Sequence, residues 1–249
     1  MGSLVLNDAV FLITGAGKGI GAALVEQICQ RRDEMPGVRL FLTSRTKADL
    51  EALKTKAKAA GIVCEYLAAD LAEKPTEALD ACLKAYGRLD VLFHSAGVGR
   101  FGDFSDLKLE DLQFVMKTNV EASFVLIQKA YAQIKSQAPK QGKLRGQIQW
   151  VTSVASEKPF PQSAIYCMSK FAQRGLLEVI RSYGYQDGIR LLEVKPGATL
   201  TPMWGDVSPE MKTRMMPATD IANSMVDTLF LSESTTVEEL TIRPLSGDL

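Results

Sequence analysis

Tyr166 and Lys170 stand four residues apart in "SAIYCMSKFAQRG", a segment of helical character. Positions i and i+4 of a helix share one face, so the ammonium can stand near the phenol oxygen and favour its ionised form. A phenol with an unperturbed pKa of ~10 would then serve as an acid or base near neutral pH. The same spacing also arises from a surface lysine beside a half-buried tyrosine, and a motif this short decides nothing alone.

A second stretch, "TGAGKGIGAAL", follows the first apolar run. Glycines at 15, 17, 19 and 21 permit a tight turn and a close backbone approach. The helix that follows offers free N–H groups and its positive dipole end to a pyrophosphate. Gly15, Gly17, Lys18, Gly19, Ile20 and Gly21 are therefore candidate contacts to a dinucleotide. The second apolar run ends "LFLTSRT", without the acid that would accept ribose hydroxyls in an NAD site. Ser44 and Arg45 occupy that place and Lys18 lies in the glycine loop, so two cations and a hydroxyl can meet a 2'-phosphate. NADPH is expected over NADH. Asp70, in "AAD", is placed to hold an adenine amino group or to cap the next helix.

Elements in a definite order must position these groups. Seven runs rich in Val, Ile and Leu recur: "AVFLIT", "VRLFLTS", "IVCEYLAAD", "LDVLFHSAG", "GQIQWVTSV", "IRLLEVKPG" and "VEELTIRPL". Most lack a polar alternate face, as strands covered on both sides do. Between them lie helical patterns such as "KADLEALKTKAKAA", which ends at Gly61, and the long segment from Lys108 to Gln137. Alternation of this kind predicts a single-domain α/β Rossmann fold over residues 1–249, with a doubly wound, seven-stranded parallel sheet and helices on both faces. The polar "QAPKQGKLRGQ" reads as a surface loop. Residues 199–218, with Trp204 and Met203, Met211, Met215 and Met216, suit a mobile apolar lid or a loop covering part of the core.

Composition narrows the partners. The 249 residues carry 29 Lys plus Arg against 29 Asp plus Glu, so neither nucleic acid nor an anionic membrane is suggested. Cys29, Cys64, Cys82 and Cys167 lack metal or redox spacing and read as reduced thiols; with a single histidine, His94, no metal site is expected. No apolar run reaches the ~18 to 20 residues of a membrane span, and "MGSLVL" has Leu6 where a myristoylation signal needs Ser or Thr. The expectation is a cytoplasmic protein with a small-molecule substrate.

The order and spacing of "TGAGKGIG", "HSAG", "MKTNV", "VTSVA", "YCMSK" and "PGATLT" resemble the short-chain dehydrogenases/reductases over nearly the whole chain. The resemblance implies that Tyr166 is the catalytic acid and that Lys170 lowers its pKa and holds the nicotinamide ribose. Ser153 would position the substrate carbonyl, and Asn119 would kink its helix and hold a relay water. Leu71, Ala96, Gly97, Pro196, Gly197, Thr199 and Thr201 would join the cofactor contacts, Thr201 at the carboxamide. His94 and Ser95 depart from the family's usual Asn pair, so His94 reads as a structural substitution or a second base.

A narrower resemblance, in "AGVGRFGDFSDL", "TPMWG" and the terminal "IRPLSGDL", is to the sepiapterin reductases, which reduce a pterin side-chain ketone with NADPH. It implies that Asp248 anchors the pterin's aminopyrimidine edge, or is otherwise a solvated terminal residue. Phe101 and Trp204 would stack on the ring or pack the lid. A reductase of other small ketones or diketones, such as 3-oxoacyl intermediates, and a non-catalytic NADPH-sensing module are the alternatives. A homodimer or homotetramer joined through the apolar "FVLIQKAYAQI" is expected.

Overall fold

Each of the seven apolar runs forms a strand. In the computed structural model, which describes residues 6–248, these are β1 (Val10–Thr14), β2 (Arg39–Ser44), β3 (Val63–Ala68), β4 (Val91–His94), β5 (Gly146–Val151), β6 (Ile189–Pro196) and, last in the chain, β9 (Glu239–Ile242). The myristoylation comparison at "MGSLVL" falls largely on residues 1–5, which with Leu249 lie outside those described. The strands form one sheet in the order β3-β2-β1-β4-β5-β6-β9, with every pairing parallel. Order reverses at β1, whose partners are β2 and β4, and such a switch point opens a crevice at the carboxyl ends of the strands.

Crossover helices bury both faces of the sheet. On one side α1 (Gly19–Gln30), α2 (Lys47–Ala59) and α8 (Ala218–Asp227) pack on Phe11, Ile13, Leu40, Leu42, Phe93 and Val194. On the other side α3 (Glu77–Tyr86), α5 (Ser123–Ser136) and α6 (Ala164–Asp187) pack on Val10, Leu12, Phe41, Leu92, Ile148 and Trp150. Alternate residues of one strand thus serve different cores, which is why the strands read as unbroken apolar runs. The two cores share one sheet, so the described residues form one domain. No described helix is long and apolar enough to cross a membrane.

Two features were not expected from periodicity. The segment from Lys108 to Gln137 is α4 (Leu109–Met116) and α5 joined by a π turn over Lys117–Ala122. Residues 199–218 are not one irregular lid: β7 (Thr199–Leu200) pairs with β8 (Met216–Pro217), and α7 (Pro209–Arg214) lies between them. Met215 and Met216 are buried, and Met216 joins the α1/α8 core, so only the middle of the segment, with exposed Met203 and Trp204, remains free to cover a ligand.

Candidate active site

The glycine loop is shaped by close approaches rather than by flexibility. Gly15 and Gly19 adopt φ of +66° and +57°, and a Cβ on Gly15 would come 2.8 Å from the Ala96 nitrogen. A Cβ on Gly21 would stand 2.3 Å from the Gly15 oxygen, so α1 can begin this close to β1 only with glycine there. The helix starts after Lys18 with no side-chain cap and no acid in its first turn. Its first N–H groups and positive end are left for an external anion.

The adenosine end fits a phosphorylated ribose. Ser44 Oγ is buried without a hydrogen-bond partner, 2.7 Å from where a Gly17 Cβ would be. Arg45 is exposed and makes no ion pair among the described residues, while Lys18 Nζ stands 3.8 Å from Asp49 in the first turn of α2. Asp49, beside Gly17 and Ser44, was not singled out from the sequence, because an acid in a first helical turn is ordinary. Asp70 Oδ1 accepts from Ala72 N at 2.9 Å, so this oxygen caps the turn after β3 and Leu71 packs partly into the core. At the far end the Thr201 methyl approaches the Gly19 position to 3.1 Å. The turn holding Pro196, Gly197 and Thr199 is tied by Gly197 N donating to Ile242 O at 2.8 Å and Thr199 Oγ1 donating to Gly197 O at 3.0 Å.

Tyr166, Lys170, Ser153 and Asn119 converge beyond the carboxyl ends of β4 and β5. A Cβ on Gly97 would lie 3.5 Å from Asn119 Oδ1 and 3.7 Å from Lys170 Nζ. The π turn carries Asn119 inward, fully buried, where Nδ2 donates to Val98 O at 2.8 Å and to Ser169 Oγ at 3.0 Å, and Oδ1 accepts from Val98 N at 2.9 Å. The Asn119 carbonyl accepts from Gln173 Nε2 at 2.6 Å, so one of the two lone pairs open to a relay water is taken. Ser153 caps the short turn that follows β5, its hydroxyl accepting from Ala155 N at 3.1 Å. Phe101 lies against Tyr166, with ring centroids 5.4 Å apart.

Tyr166 and Lys170 share one face of α6, as their spacing requires. Lys170 Nζ stands over the Tyr166 ring, 5.5 Å from its centroid, and donates to Val151 O at 3.3 Å. Helical spacing brings the lysine beside the ring, and the Val151 carbonyl takes one of its N–H donors. Burial pushes the phenol up to about 12, against the Ser153 hydroxyl, and pushes Lys170 down to about 7, against the Glu193 carboxylate.

His94 is a strap between elements. It is fully buried, its Nδ1 is 2.7 Å from Thr14 Oγ1 and its Nε2 2.8 Å from Ser123 Oγ, linking β1, β4 and α5. Burial holds it neutral, pushed down to about 3, and Trp150 covers the ring at 5.5 Å. That is the structural substitution rather than the second base.

Asp248 is partly exposed and ion-paired. Arg243 Nη1 donates to its two oxygens at 2.6 and 2.5 Å and Lys158 Nζ to Oδ2 at 2.9 Å, and these bonds, Lys158 first, hold its carboxyl below the usual range. The tail is thereby docked on the segment that follows Ser153. Trp204, about two-fifths exposed, makes no aromatic pair with Phe101 among the described residues.

Comparison with known proteins agrees with this geometry. The family model described as short chain dehydrogenase matches residues 9–212. The sepiapterin reductase of Chlorobaculum tepidum is 41% identical over 96% of this chain and 98% of its own. Among solved structures, an alcohol dehydrogenase from the archaeon Thermococcus sibiricus complexed with 5-hydroxy-NADP superposes with a TM-score of 0.83 at 26% identity, covering 95% of this chain and 97% of that one. A metagenomic short-chain oxidoreductase in complex with NADP superposes with a TM-score of 0.79 at 27% identity, covering 96% and 98%.

Proposed function

The chain belongs to the short-chain dehydrogenase family, and from that premise we propose that it is an NADPH-dependent carbonyl reductase that reduces the side-chain ketone of a pterin, with Tyr166 as proton donor. An NADP-dependent oxidoreductase accords with the open N-terminus of α1, the orphaned Ser44 hydroxyl and the free Arg45, which together would hold the phosphates. The dinucleotide, when bound, supplies the hydride. The observation that carries the reading is the convergence of Asn119 and Lys170 on Gly97, with Tyr166 against Lys170 and Ser153 beside Tyr166, next to that phosphate cradle.

Each side chain then has a task. A ketone that accepts hydride becomes an alkoxide, and a phenol, even when burial raises it to about 12, is a far stronger acid than an alcohol and gives up its proton to it. The Ser153 hydroxyl holds the carbonyl oxygen and stabilises its growing charge. Lys170 binds the nicotinamide ribose and carries the proton that refills Tyr166, while Asn119 holds Val98 and Ser169 so that the wall of the site stays fixed. The pterin reading rests on the 41% identical sepiapterin reductase together with Phe101 on Tyr166 and the docked Asp248 tail. A second reading, reduction of a small diketone, is favoured by one observation: Arg243 and Lys158 already occupy both Asp248 oxygens, leaving less of that carboxylate for an aminopyrimidine edge.

Assembly into a dimer or tetramer is part of the proposal. Phe124 and Val125 on α5 and Phe171 and Val179 on α6 stand exposed, and an apolar cleft between these helices is lined by Val120, Phe124, Ala172 and Leu176.

The experiment is Tyr166→Phe assayed with NADPH against sepiapterin and 2,3-butanedione. Nearly all reduction should be lost while NADPH binding persists, because only the donor is removed; activity within about threefold of wild type sinks the mechanism. In the wild type, a higher kcat/KM for 2,3-butanedione than for sepiapterin would replace the pterin by the diketone.

A further inference from the structure

Glu193 lies midway along β6 and is fully buried, yet it has no cationic hydrogen-bond partner. Its Oε1 accepts from Thr152 Oγ1 at 2.6 Å and from Ser156 Oγ at 2.8 Å. Its Oε2 is buried with no hydrogen-bond partner among the described residues. A carboxylate withdrawn from water is costly unless hydrogen bonds or a counter-charge compensate it. Two hydroxyls on one oxygen are partial compensation, and both come from residues that bracket Ser153.

We propose that Glu193 is a positioning residue of the reductase site: it clamps the turn that carries Ser153 from both sides and sets a negative charge against the Lys170 ammonium from beneath. The inference rests on the tyrosine-donor reading given above. The register supports it. Glu193 pairs with Trp150 across β5 and β6, and Lys170 Nζ donates to the carbonyl of the next residue, Val151. Thr152 N donates to Val194 O at 2.8 Å, so the clamp grips the backbone just where β5 gives way to the Ser153 turn.

The charges around Lys170 leave that task to Glu193. From β4, His94 is held neutral; from its own helix, Tyr166 is pushed up to about 12. Farther along β6, Lys195 is bound by Glu157 at 2.8 Å and Glu239 at 2.6 Å, and Arg174 pairs with the same two acids, so these four neutralise one another. Burial drives Lys170 down to about 7 and Glu193 is the charge that opposes it. A lysine near that value is poised to exchange protons at neutral pH, which a relay to Tyr166 requires.

The test is the pH profile of kcat for NADPH-dependent reduction, from pH 5.5 to 9.5, in wild type, Glu193→Gln, Glu193→Asp and, as control, Tyr166→Phe. Glu193→Gln keeps the shape and removes the charge. Its alkaline limb, where Lys170 loses its proton, should move to lower pH by roughly one unit, because an opposite charge at close range favours the charged form by at least that much. Glu193→Asp keeps the charge but shortens the clamp: its limb should stay in place while kcat falls severalfold and KM for the carbonyl substrate rises. A Gln profile that superposes on wild type overturns the proposal. Should the Gln variant fail to fold, an Asp variant with a displaced limb or unchanged kcat does the same. An inactive Tyr166→Phe beside an unshifted Gln profile condemns only the role of Glu193, whereas an active Tyr166→Phe removes the reading on which it rests.

Discussion

Replacing Lys170 by methionine should stabilise the folded protein most at low pH and progressively less above pH 7. Lys170 is 3% exposed, and burial lowers it from an ordinary 10.5 to about 7. Its folded value lies below its unfolded value, so the unfolded chain binds the proton more tightly and stability rises with pH between the two. Below pH 7 both states are protonated and the whole cost is present: the gap from 10.5 to about 7, at about 1.4 kcal/mol per unit, comes to about 5 kcal/mol. By pH 9 about 2 kcal/mol of it is left. A further effect of the substitution, the lost bond to Val151 O, leaves the slope unchanged, and the attraction of Glu193 is already contained in the folded value of Lys170. Urea unfolding of wild type and Lys170→Met at one protein concentration, at pH 7, 8 and 9, measures the gap in stability. Lys170 is already half deprotonated at pH 7, where about 4 kcal/mol remains, so that gap should fall by about 2 kcal/mol across the series. A gap constant to within about 0.5 kcal/mol would show that Lys170 keeps its proton in the fold at all three values and refute the burial argument.

Arg45→Ala should weaken NADPH binding about tenfold or more and leave NADH nearly unchanged, since charge-assisted hydrogen bonds to a 2'-phosphate are worth about 1.5 to 3 kcal/mol and Arg45 has no other partner to lose. Equal losses for the two cofactors, read by fluorescence titration, would show that Arg45 does not meet that phosphate. Asp248→Ala should raise KM for sepiapterin by about tenfold and spare 2,3-butanedione, because only the pterin presents paired N–H donors to a carboxylate. Parallel loss on both would mean that Asp248 serves only to dock the tail on Lys158 and Arg243.

The sheet was legible because burial on both faces leaves a parallel strand no polar face to show, and each of the seven apolar runs became a strand. The glycine loop was legible for a related reason: a Cβ at Gly15 or Gly21 would collide with backbone, so the chemistry of the turn is written in the residue type. The π turn at Lys117–Ala122 was not, since one extra residue in a helix barely disturbs an apolar stripe. Spacing put Tyr166 and Lys170 on one face but could not say that Val151 O would accept from the ammonium. The ion pairs of Asp248 with Lys158 and Arg243 join residues up to 90 positions apart, and no local pattern announces them.

Glu193 is a different case, because its signal was in the sequence and went unread. In "IRLLEVKPG" Glu193 and Lys195 stand at alternate positions of a run that, Arg190 apart, is otherwise suited to burial on both faces. Alternation places Glu193 and Lys195 on the same side of β6, the side packed against α6, where neither can reach bulk water. A charge in that position must be paired or bonded, and must therefore fix whatever it is bonded to. Lys195 ties β6 to Glu157 and Glu239. Glu193, two residues earlier, ties it to Thr152 and Ser156, and the residue held between those two hydroxyls on the chain is Ser153. An acid inside a buried strand is thus a sign that the turn it is bonded to, and not the strand alone, is what the acid holds.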